Sequence, residues 1–212
     1  MSDDNDIVAS RRQKLTELRR RGIAYPNEFD RSDFAEELHA RHGDSSKEAL
    51  ESEAVGVKIA GRIMLRRVMG KASFITLQDG SYQIQCYLRQ QDLGDASYKE
   101  FDELYDRGDI VGVTGTMMRT NKGELTVHAS EIVLLTKSLQ PLPEKYHGIS
   151  DQELKYRLRY VDLIMSDASR AVFRTRSQVI STIRRFFDAR QFLEVETPMM
   201  HPIPGGATAR PF

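Results

Sequence analysis

The sequence predicts a mostly β chain of α+β organisation, with N-terminal helices, a five-stranded barrel and a second helical segment. Two patterns support this prediction. From residue 55 apolar side chains recur at every second position, the period of a half-buried strand, whereas from residue 151 they recur at helical spacing. A Pro- and Gly-containing stretch at 138–150 separates the patterns and is predicted to be an interdomain linker. At 212 residues the chain is long enough for two small domains.

The composition excludes several classes of protein. The chain is 40% hydrophobic and 29% charged, and no apolar run approaches the roughly 18 to 20 residues that span a bilayer. Its acidic start lacks the positive charge and apolar run of a secretory signal, so we expect a cytoplasmic protein without a membrane role. One cysteine, Cys86, cannot form an intrachain disulfide or a zinc-binding thiolate cluster. The five histidines have no metal-ligand spacing, so no metal site is predicted.

Residues 1–54 are predicted to be a helical extension. Ser45, with Glu48 three residues later, resembles a capping box that opens the last of its helices. Arginines cluster near the start of the chain, and they either form an RNA-binding surface or lie on solvated helix faces. The predicted helices span 7–21, 33–42 and 46–54.

Residues 55–137 are predicted to form the barrel. A helix at 97–106, with Phe101, Leu104 and Tyr105 facing inward, separates the third strand from the fourth. Three strands, a helix and two strands is the order of the OB-fold, a Greek-key barrel that commonly binds oligonucleotides. The predicted strands span 55–65, 72–78, 82–88, 109–118 and 124–135.

The hairpin of the second and third strands predicts the binding face. A two-residue turn at Asp79-Gly80 would pair residues whose numbers sum to 159, which places Phe74 opposite Gln85. Alternation then puts one set of side chains in the core and the other outside. The predicted core side chains are Ile75, Leu77, Ile84 and Cys86, and the predicted outer ones are Phe74, Thr76, Gln83 and Gln85.

An outward aromatic beside an amide and two arginines, Arg66 and Arg67, is suited to single-stranded RNA. A ring stacks on a base, an amide reads a base edge, and guanidinium groups bind phosphate or base. The alternative is that the N-terminal helices cover this face, so that Phe74 belongs to the core.

Residues 151–212 are predicted to begin a second domain. Its second helix carries an apolar stripe without an evident partner, which favours association. The stripe comprises Val172, Val179, Ile183, Phe186 and Phe187. Helices are predicted at 151–164 and 169–190, and a strand at 193–196 that runs into Pro198.

The runs GRIMLRRVMGKASFITLQDG, GELTVHASEIVLLTKSLQPLPEKYHG and YRLRYVDLI resemble bacterial lysyl-tRNA synthetases of class II, along essentially the whole chain. The resemblance implies that Phe74 and Gln85 read the central uridine of the anticodon and that Arg67 also contacts it. Glu131 is either a further contact or an ordinary exposed strand residue.

The segment FFDARQFLEVETPMM resembles motif 1 of class II synthetases, which implies a homodimer interface ending at Pro198. The family often has glycine where this chain has Gln191, so the end of the preceding helix is expected to differ slightly. The ending PGGATARPF resembles the loop at the lysine pocket, which implies that Gly205 and Gly206 lie close to that substrate.

The resemblance implies an ATP- and Mg²⁺-dependent ligase that forms lysyl-adenylate and transfers lysine to tRNA(Lys). The family's motifs 2 and 3 would lie beyond Phe212, so we expect this incomplete catalytic domain to hold no catalytic residue and to be inactive alone. Two alternatives remain: a complete, free-standing tRNA- or single-strand-RNA-binding module, and a general single-strand-binding OB protein.

Overall fold

A computed structural model of the chain describes residues 2–22, 25–143 and 149–199, with side chains from residue 5 onward. The chain divides into two compact units, Met1–Leu142 and Pro143–Phe212.

Three helices open the first unit: α1 (Ser2–Arg21), α2 (Ala35–His42) and α3 (Lys47–Glu53). The predicted capping box at Ser45 is wrong by one residue. Ser46 is the N-cap of α3, and its hydroxyl accepts from the backbone N–H of Ala49 at 3.1 Å. The acidic residue Glu48 therefore lies at the second helical position and not at the third, which a capping box uses.

The α1 helix packs through Leu15 and Leu18, which are buried. Arg11, also buried, donates hydrogen bonds to the backbone carbonyls of Arg107, Ser138 and Gln140 at 3.0 to 3.2 Å. This arginine thus holds α1 against the barrel. The N-terminal arginines were expected either to form an RNA-binding surface or to lie on solvated helix faces. Arg11 has a third role, because it docks α1 on the barrel.

Five strands form a closed barrel in the order β1-β2-β3-β5-β4, which confirms the predicted five-stranded OB-fold. The β3–β5 pairing is parallel and the others are antiparallel. Two helices, α4 (Gln90–Leu93) and α5 (Asp95–Leu104), connect β3 to β4. The strands are β1 (Gly56–Met69), β2 (Ala72–Gln78), β3 (Gln83–Arg89), β4 (Ile110–Arg119) and β5 (Leu125–Thr136).

The β2–β3 hairpin turns one residue later than predicted. Asp79 pairs with Tyr82 and opposed residue numbers sum to 161, so Phe74 faces Tyr87 and Thr76 faces Gln85. The Asp79 carboxylate causes the difference, because it accepts from the backbone N–H groups of Ser81 and Tyr82 and thereby fixes the turn. Because side chains alternate with a period of two, a change of two in this sum leaves every residue on its predicted face.

The barrel core contains the four hairpin side chains predicted for it, each at most 3% exposed. Phe101, fully buried, closes one end of the barrel from α5 together with Leu104 and Tyr105, as predicted. The Tyr105 hydroxyl accepts from the backbone N–H of Leu134 at 3.0 Å, which joins this end to β5.

A buried ionic cluster lies beneath α5. The ammonium group of Lys137 is fully buried and donates to the Leu104 carbonyl (2.7 Å), Asp106 (2.5 Å) and Asp109 (2.7 Å). All three of its donors are therefore satisfied. Lys14 of α1 reaches Asp106 at 2.7 Å and extends the cluster to the N-terminal helix.

The segment that precedes α2 crosses the outside of β1 and β4. Backbone N–H groups of Ser32 and Asp33 donate to the Lys58 carbonyl at 3.1 Å. The Phe29 ring lies so close to Gly112 that a Cβ there would come within 2.7 Å of it. This segment therefore covers the β1–β4 side of the barrel, whereas Phe74 on β2 is half-exposed and Arg67 is exposed.

The second unit contains α6 (Gln152–Arg157), α7 (Arg159–Met165) and α8 (Asp167–Asp188). The prediction of a single helix at 151–164 is wrong. Leu158 has non-helical backbone angles and divides this segment into two helices. Buried Asp162 pairs with Arg159 at 2.9 Å in the second piece. Within the described residues, 193–196 form no strand, and no described strand pairs with them, as a strand requires.

The α8 helix ends in a Schellman motif. Gln191 has a φ of +64°, its N–H donates to the Asp188 carbonyl, and the N–H of Phe192 donates to the Phe187 carbonyl. The rings of Phe187 and Phe192 complete the motif at 5.3 Å. The expected difference at this helix end is therefore wrong, since Gln191 adopts the left-handed conformation that glycine favours.

Gln191→Gly should stabilise α8 by roughly 1 kcal/mol, because a non-glycine residue is strained in the left-handed region. Denaturant unfolding followed by far-UV circular dichroism measures this gain. Ala189→Gly is the matched control, since it places glycine at a neighbouring position whose φ is −63°, where it should lower stability. A loss of stability with Gln191→Gly would contradict the assigned helix stop.

Candidate nucleic-acid interface

The outer face of the barrel presents an ordered grid of side chains. One row crosses four strands through the cross-strand pairs Arg67–Phe74, Phe74–Tyr87 and Tyr87–His128. Directly opposed residues of a sheet have their side chains on the same face. The row therefore places a cation, two aromatic rings and an imidazole side by side.

The aromatic side chains of this row contact one another. The ring centroids of Phe74 and Tyr87 lie 4.7 Å apart with the planes inclined by 28°, a stacked arrangement. The Tyr87 and His128 rings follow at 5.7 Å. Tyr87 thus lies against one side of the Phe74 ring, and Arg67 is the neighbour of Phe74 on the other adjacent strand, β1.

Tyr87 and His128 are absent from the sequence-based site. Tyr87 could have been found, because it continues the alternation of Gln83 and Gln85 along the outer face. His128 could not, since its position depends on the parallel pairing of β3 with β5. Neither strand sequence alone specifies that register.

Gln85 lies in the adjoining row, between Thr76 and Thr126. Its side-chain oxygen accepts a hydrogen bond from the Thr126 hydroxyl at 3.1 Å. The amide nitrogen is thereby directed away from Thr126 and is available to donate to a ligand. Phe74 and Gln85, predicted to be directly opposed, are instead diagonal neighbours one row apart.

A charged network borders the row at β3 and β5. Asp92 of α4 accepts from Arg89 at 2.5 and 2.9 Å and lies 2.7 Å from the His128 Nε2. The hydrogen bond from Arg89, with a smaller contribution from His128, holds the pKa of Asp92 below its usual value. This carboxylate therefore stays ionised and fixes the orientation of both partners.

The two neighbouring arginines of β1 lie on opposite faces. Arg67 is exposed, and within the described part of the chain it has no carboxylate partner. Arg66 points instead to α5, where it donates to the backbone oxygen and carboxylate of Asp102, both at 2.8 Å, and lies 4.8 Å from the Phe101 ring centroid. Arg66 is therefore directed to α5 and not to the face that carries Arg67, and its part in RNA binding stays a prediction.

A β-bulge causes this difference. The β1–β2 register shifts between Ile63 and Leu65, so Ile63 remains inside while Leu65 and Arg67 are outside. An inserted residue reverses the alternation that follows it. Strict alternation from Ile63 would have placed Arg66 on the outer face.

Glu131 lies on β5, exposed, and accepts from the Thr114 hydroxyl at 3.2 Å. It is three residues along β5 from His128, beyond a second register shift. The Phe74–Tyr87–His128 contacts do not include it, and its role stays a prediction.

The remaining predicted residues belong to the second unit. Pro198 is exposed after α8. Gly205 and Gly206 lie outside the described residues, as do Pro204, Ala207 and Arg210. In the ranges that the structure describes, no group of three or more His, Cys, Asp or Glu side chains is arranged to hold a metal ion. None of the described helices combines the length and the apolar character needed to cross a bilayer.

Comparison with known families agrees with this geometry. The profile of OB-fold nucleic acid binding domains of the tRNA anticodon type matches residues 57–135. That of class II tRNA synthetases (D, K and N) matches residues 151–212. The fold, the half-exposed aromatic row and these matches define an anticodon-type OB domain joined to a class II tRNA synthetase segment.

Individual relatives show which enzymes of this class the chain resembles. The chain is 57% identical to a lysine–tRNA ligase of Thiobacillus denitrificans over 99% of its own length and 42% of the relative's. It is 56% identical to that of Paraburkholderia xenovorans and 54% to that of Burkholderia cenocepacia, with 41% of each covered. The chain is thus similar to lysine–tRNA ligases along nearly its whole length, and it spans about two fifths of the length of these relatives.

Proposed function

We propose that the first unit binds the anticodon loop of lysine tRNA on the outer face of β1, β2, β3 and β5. The row from Arg67 through Phe74 and Tyr87 to His128 is the observation that carries this proposal. An aromatic platform flanked by the guanidinium group of Arg67 suits single-stranded RNA, whose unstacked bases need a ring to stack on.

The contacts support a distinct role for each side chain. With Tyr87 against one side of its ring, Phe74 offers the other side to a base. Arg67, opposite Phe74 on β1, can then contact that base or its phosphate from the same side. A base in this position is enclosed between a ring and a guanidinium group.

Gln85 supplies the discrimination between bases. Since its oxygen is engaged by Thr126, its amide nitrogen is the free donor. Uracil presents a carbonyl oxygen at the position where cytosine presents an amino group, as thymine does in DNA. A donor therefore favours uridine, and a cytidine would meet it donor to donor.

Gln85→Ala should reduce the preference for a central uridine over a central cytidine, because the directional donor is lost. The measurement is a fluorescence titration of two labelled anticodon stem-loops, which differ only at that base, with the wild-type and variant chains. Thr126→Val preserves the shape of the buried side chain and releases the amide, so it should relax the preference in the same direction.

Gln83→Ala is the matched control, since Gln83 lies two residues from Gln85 on the same strand and pairs with Gln78 at 2.7 Å. It should leave the preference unchanged. An unchanged preference in both Gln85→Ala and Thr126→Val, with circular dichroism intact, would contradict the role of the amide.

We further propose that the complete protein joins lysine to tRNA(Lys) with ATP and Mg²⁺, since its relatives are named lysine–tRNA ligases. The described residues contain no group suited to a metal. We therefore assign no described residue to the activation of lysine, and the contribution proposed for this chain is anticodon recognition.

We also propose that α8 forms a homodimer interface. Five apolar side chains on one stripe of this helix are between 44% and 66% exposed, an unusual surface for a helix of a monomer. These side chains are Val172, Val179, Ile183, Phe186 and Phe187. Their spacing follows one face of an α-helix.

The chain should therefore sediment as a dimer or larger species at concentrations where its Ile183→Glu variant is monomeric, because a charge in the centre of the stripe opposes its burial. Analytical ultracentrifugation over a range of concentrations measures this. Ser181→Glu, on an exposed position outside the stripe, is the control. A wild-type chain that stays monomeric throughout would exclude the interface.

A further inference from the structure

The chain leaves the barrel through a segment that α1 holds in place. Residues 138–142, which we call the exit segment, follow β5 without forming a helix or strand and precede the second unit. The guanidinium group of Arg11 donates to the carbonyls of Ser138 and Gln140 at 3.0 and 3.2 Å. A third hydrogen bond, to the Arg107 carbonyl at 3.0 Å, ties the same group to the loop before β4. One buried side chain of α1 thus joins segments that are distant in sequence.

The buried ionic cluster connects α1 and the exit segment a second time. Asp109 accepts from the Ser138 N–H and from the Lys137 ammonium group, both at 2.7 Å. Lys137 also pairs with Asp106, which Lys14 of α1 reaches at 2.7 Å. The attachments of α1 and of the exit segment therefore share partners, so loss of one should weaken the other.

The other contacts of the exit segment are weaker. Leu139 is partly buried against the core, whereas Gln140 is exposed. The Ser138 hydroxyl donates to the Gln140 carbonyl at 3.0 Å, a contact within the segment itself. Pro141 has no backbone N–H to donate. Segments with few backbone hydrogen bonds open at a lower free energy than core strands, so the contacts with α1 should decide how often this segment detaches.

We propose that α1 is a latch that keeps the exit segment on the barrel, and that undocking of α1 releases this segment while the barrel stays folded. Arg11 is its main contact, because hydrogen bonds from a charged donor are stronger than those between neutral groups. Once released, residues 138–142 would form an extended chain of up to roughly 17 Å. The latch therefore sets the length of free chain that leaves the barrel.

The test measures how fast maleimide labels a thiol placed in the exit segment by Leu139→Cys in the 212-residue chain. Arg11→Ala should speed labelling at position 139 roughly tenfold or more, because the exit segment loses two hydrogen bonds from a charged donor. Arg12→Ala is the matched control, since Arg12 is the next residue of α1 and is exposed. It should leave the rate unchanged.

The native cysteine reports whether the barrel itself opens. Cys86 is fully buried in the barrel core, and burial raises the pKa of its thiol, so it should react only when the barrel unfolds. Arg11→Ala should therefore leave the labelling rate of Cys86 unchanged. A rise by the same factor at Cys86 and at position 139 would overturn the latch, because the whole barrel would then be opening.

A second pair of variants acts on the helix and keeps every side chain of the latch. Thr16 is exposed on α1, and proline at this position removes a helical hydrogen bond and clashes with the preceding turn, which contains Arg11 and Arg12. Thr16→Pro should therefore speed labelling at position 139, whereas Thr16→Ala should not. Equal rates in Thr16→Pro and Thr16→Ala, or in Arg11→Ala and Arg12→Ala, would also overturn the latch. The outcome is independent of RNA binding, since no RNA is present.

Discussion

Lys137→Met should lower the free energy of unfolding of the first unit by roughly 3 to 5 kcal/mol, because it removes one partner of a buried ion pair and leaves the other charge unpaired. Lys137 and Asp109 are both fully buried, 2.7 Å apart. Burial raises the pKa of Asp109, and Lys137 offsets part of that effect. Without the ammonium group this carboxylate loses its counter-ion in a dry environment.

Urea unfolding followed by circular dichroism measures the loss. Lys99→Met is the matched control, because Lys99 is 73% exposed and its pairing with Glu103 at 3.8 Å should contribute at most about 0.5 kcal/mol. Lys137→Met combined with Asp109→Asn should recover part of the loss, since the unpaired charge is then removed. A single variant as stable as Lys99→Met would show that the cluster does not stabilise the fold.

Phe74→Ala should weaken binding of a lysine anticodon stem-loop by roughly 5- to 150-fold, which corresponds to about 1 to 3 kcal/mol for one stacked base. The ring is half-exposed, and Arg67 is its cross-strand neighbour on β1. Phe74→Leu retains an apolar side chain against Tyr87 but removes the flat surface, so it should weaken binding to a similar degree.

The binding constant is measured by titration at two salt concentrations with the fold checked by circular dichroism. Tyr82→Ala is the matched control, because Tyr82 is an aromatic of the same hairpin, 58% exposed, that contacts His39 at the turn and lies outside the row. Wild-type affinity in Phe74→Ala would mean that the ring does not carry a base.

The alternation of the β2–β3 hairpin was sufficient to predict which of its side chains face the core and which face outward. The register was wrong because the Asp79 carboxylate fixes the turn one residue later, but the change of two in the sum keeps Phe74 and Gln85 outside. When one face of a strand is apolar, the face on which a residue lies is thus predicted more reliably than the residue that it opposes. The aromatic neighbour of Phe74 depends on register, so Tyr87 was missed.

Other parts of the site depend on tertiary structure. The bulge between Ile63 and Leu65 exchanges the faces of Arg66 and Arg67, and no turn residue marks it in the sequence. His128 joins the row only through the parallel pairing of strands distant in the chain. Long-range pairing of this kind is decided by the closure of the whole barrel, which local periodicity does not report.

At Gln191, in contrast, the position was identified in advance but its conformation was not. The sequence correctly marked this position as one where glycine would be favoured, but the helix end is retained with the non-glycine residue. Two backbone hydrogen bonds and the Phe187–Phe192 contact hold the motif. Local strain of about 1 kcal/mol is outweighed by these interactions.

Photo-cross-linking tests most directly which face of the barrel receives the RNA. A stem-loop with 4-thiouridine at the central anticodon position is irradiated in complex with the chain, and the attached tryptic peptide is identified by mass spectrometry. The peptide 72–89, which follows Lys71 and ends at Arg89, contains Phe74, Gln85 and Tyr87. We expect the cross-link in this peptide, and its loss when unlabelled stem-loop competes. A specific cross-link to residues 25–31 over the β1–β4 side instead, with peptide 72–89 unmodified, would contradict the proposed interface.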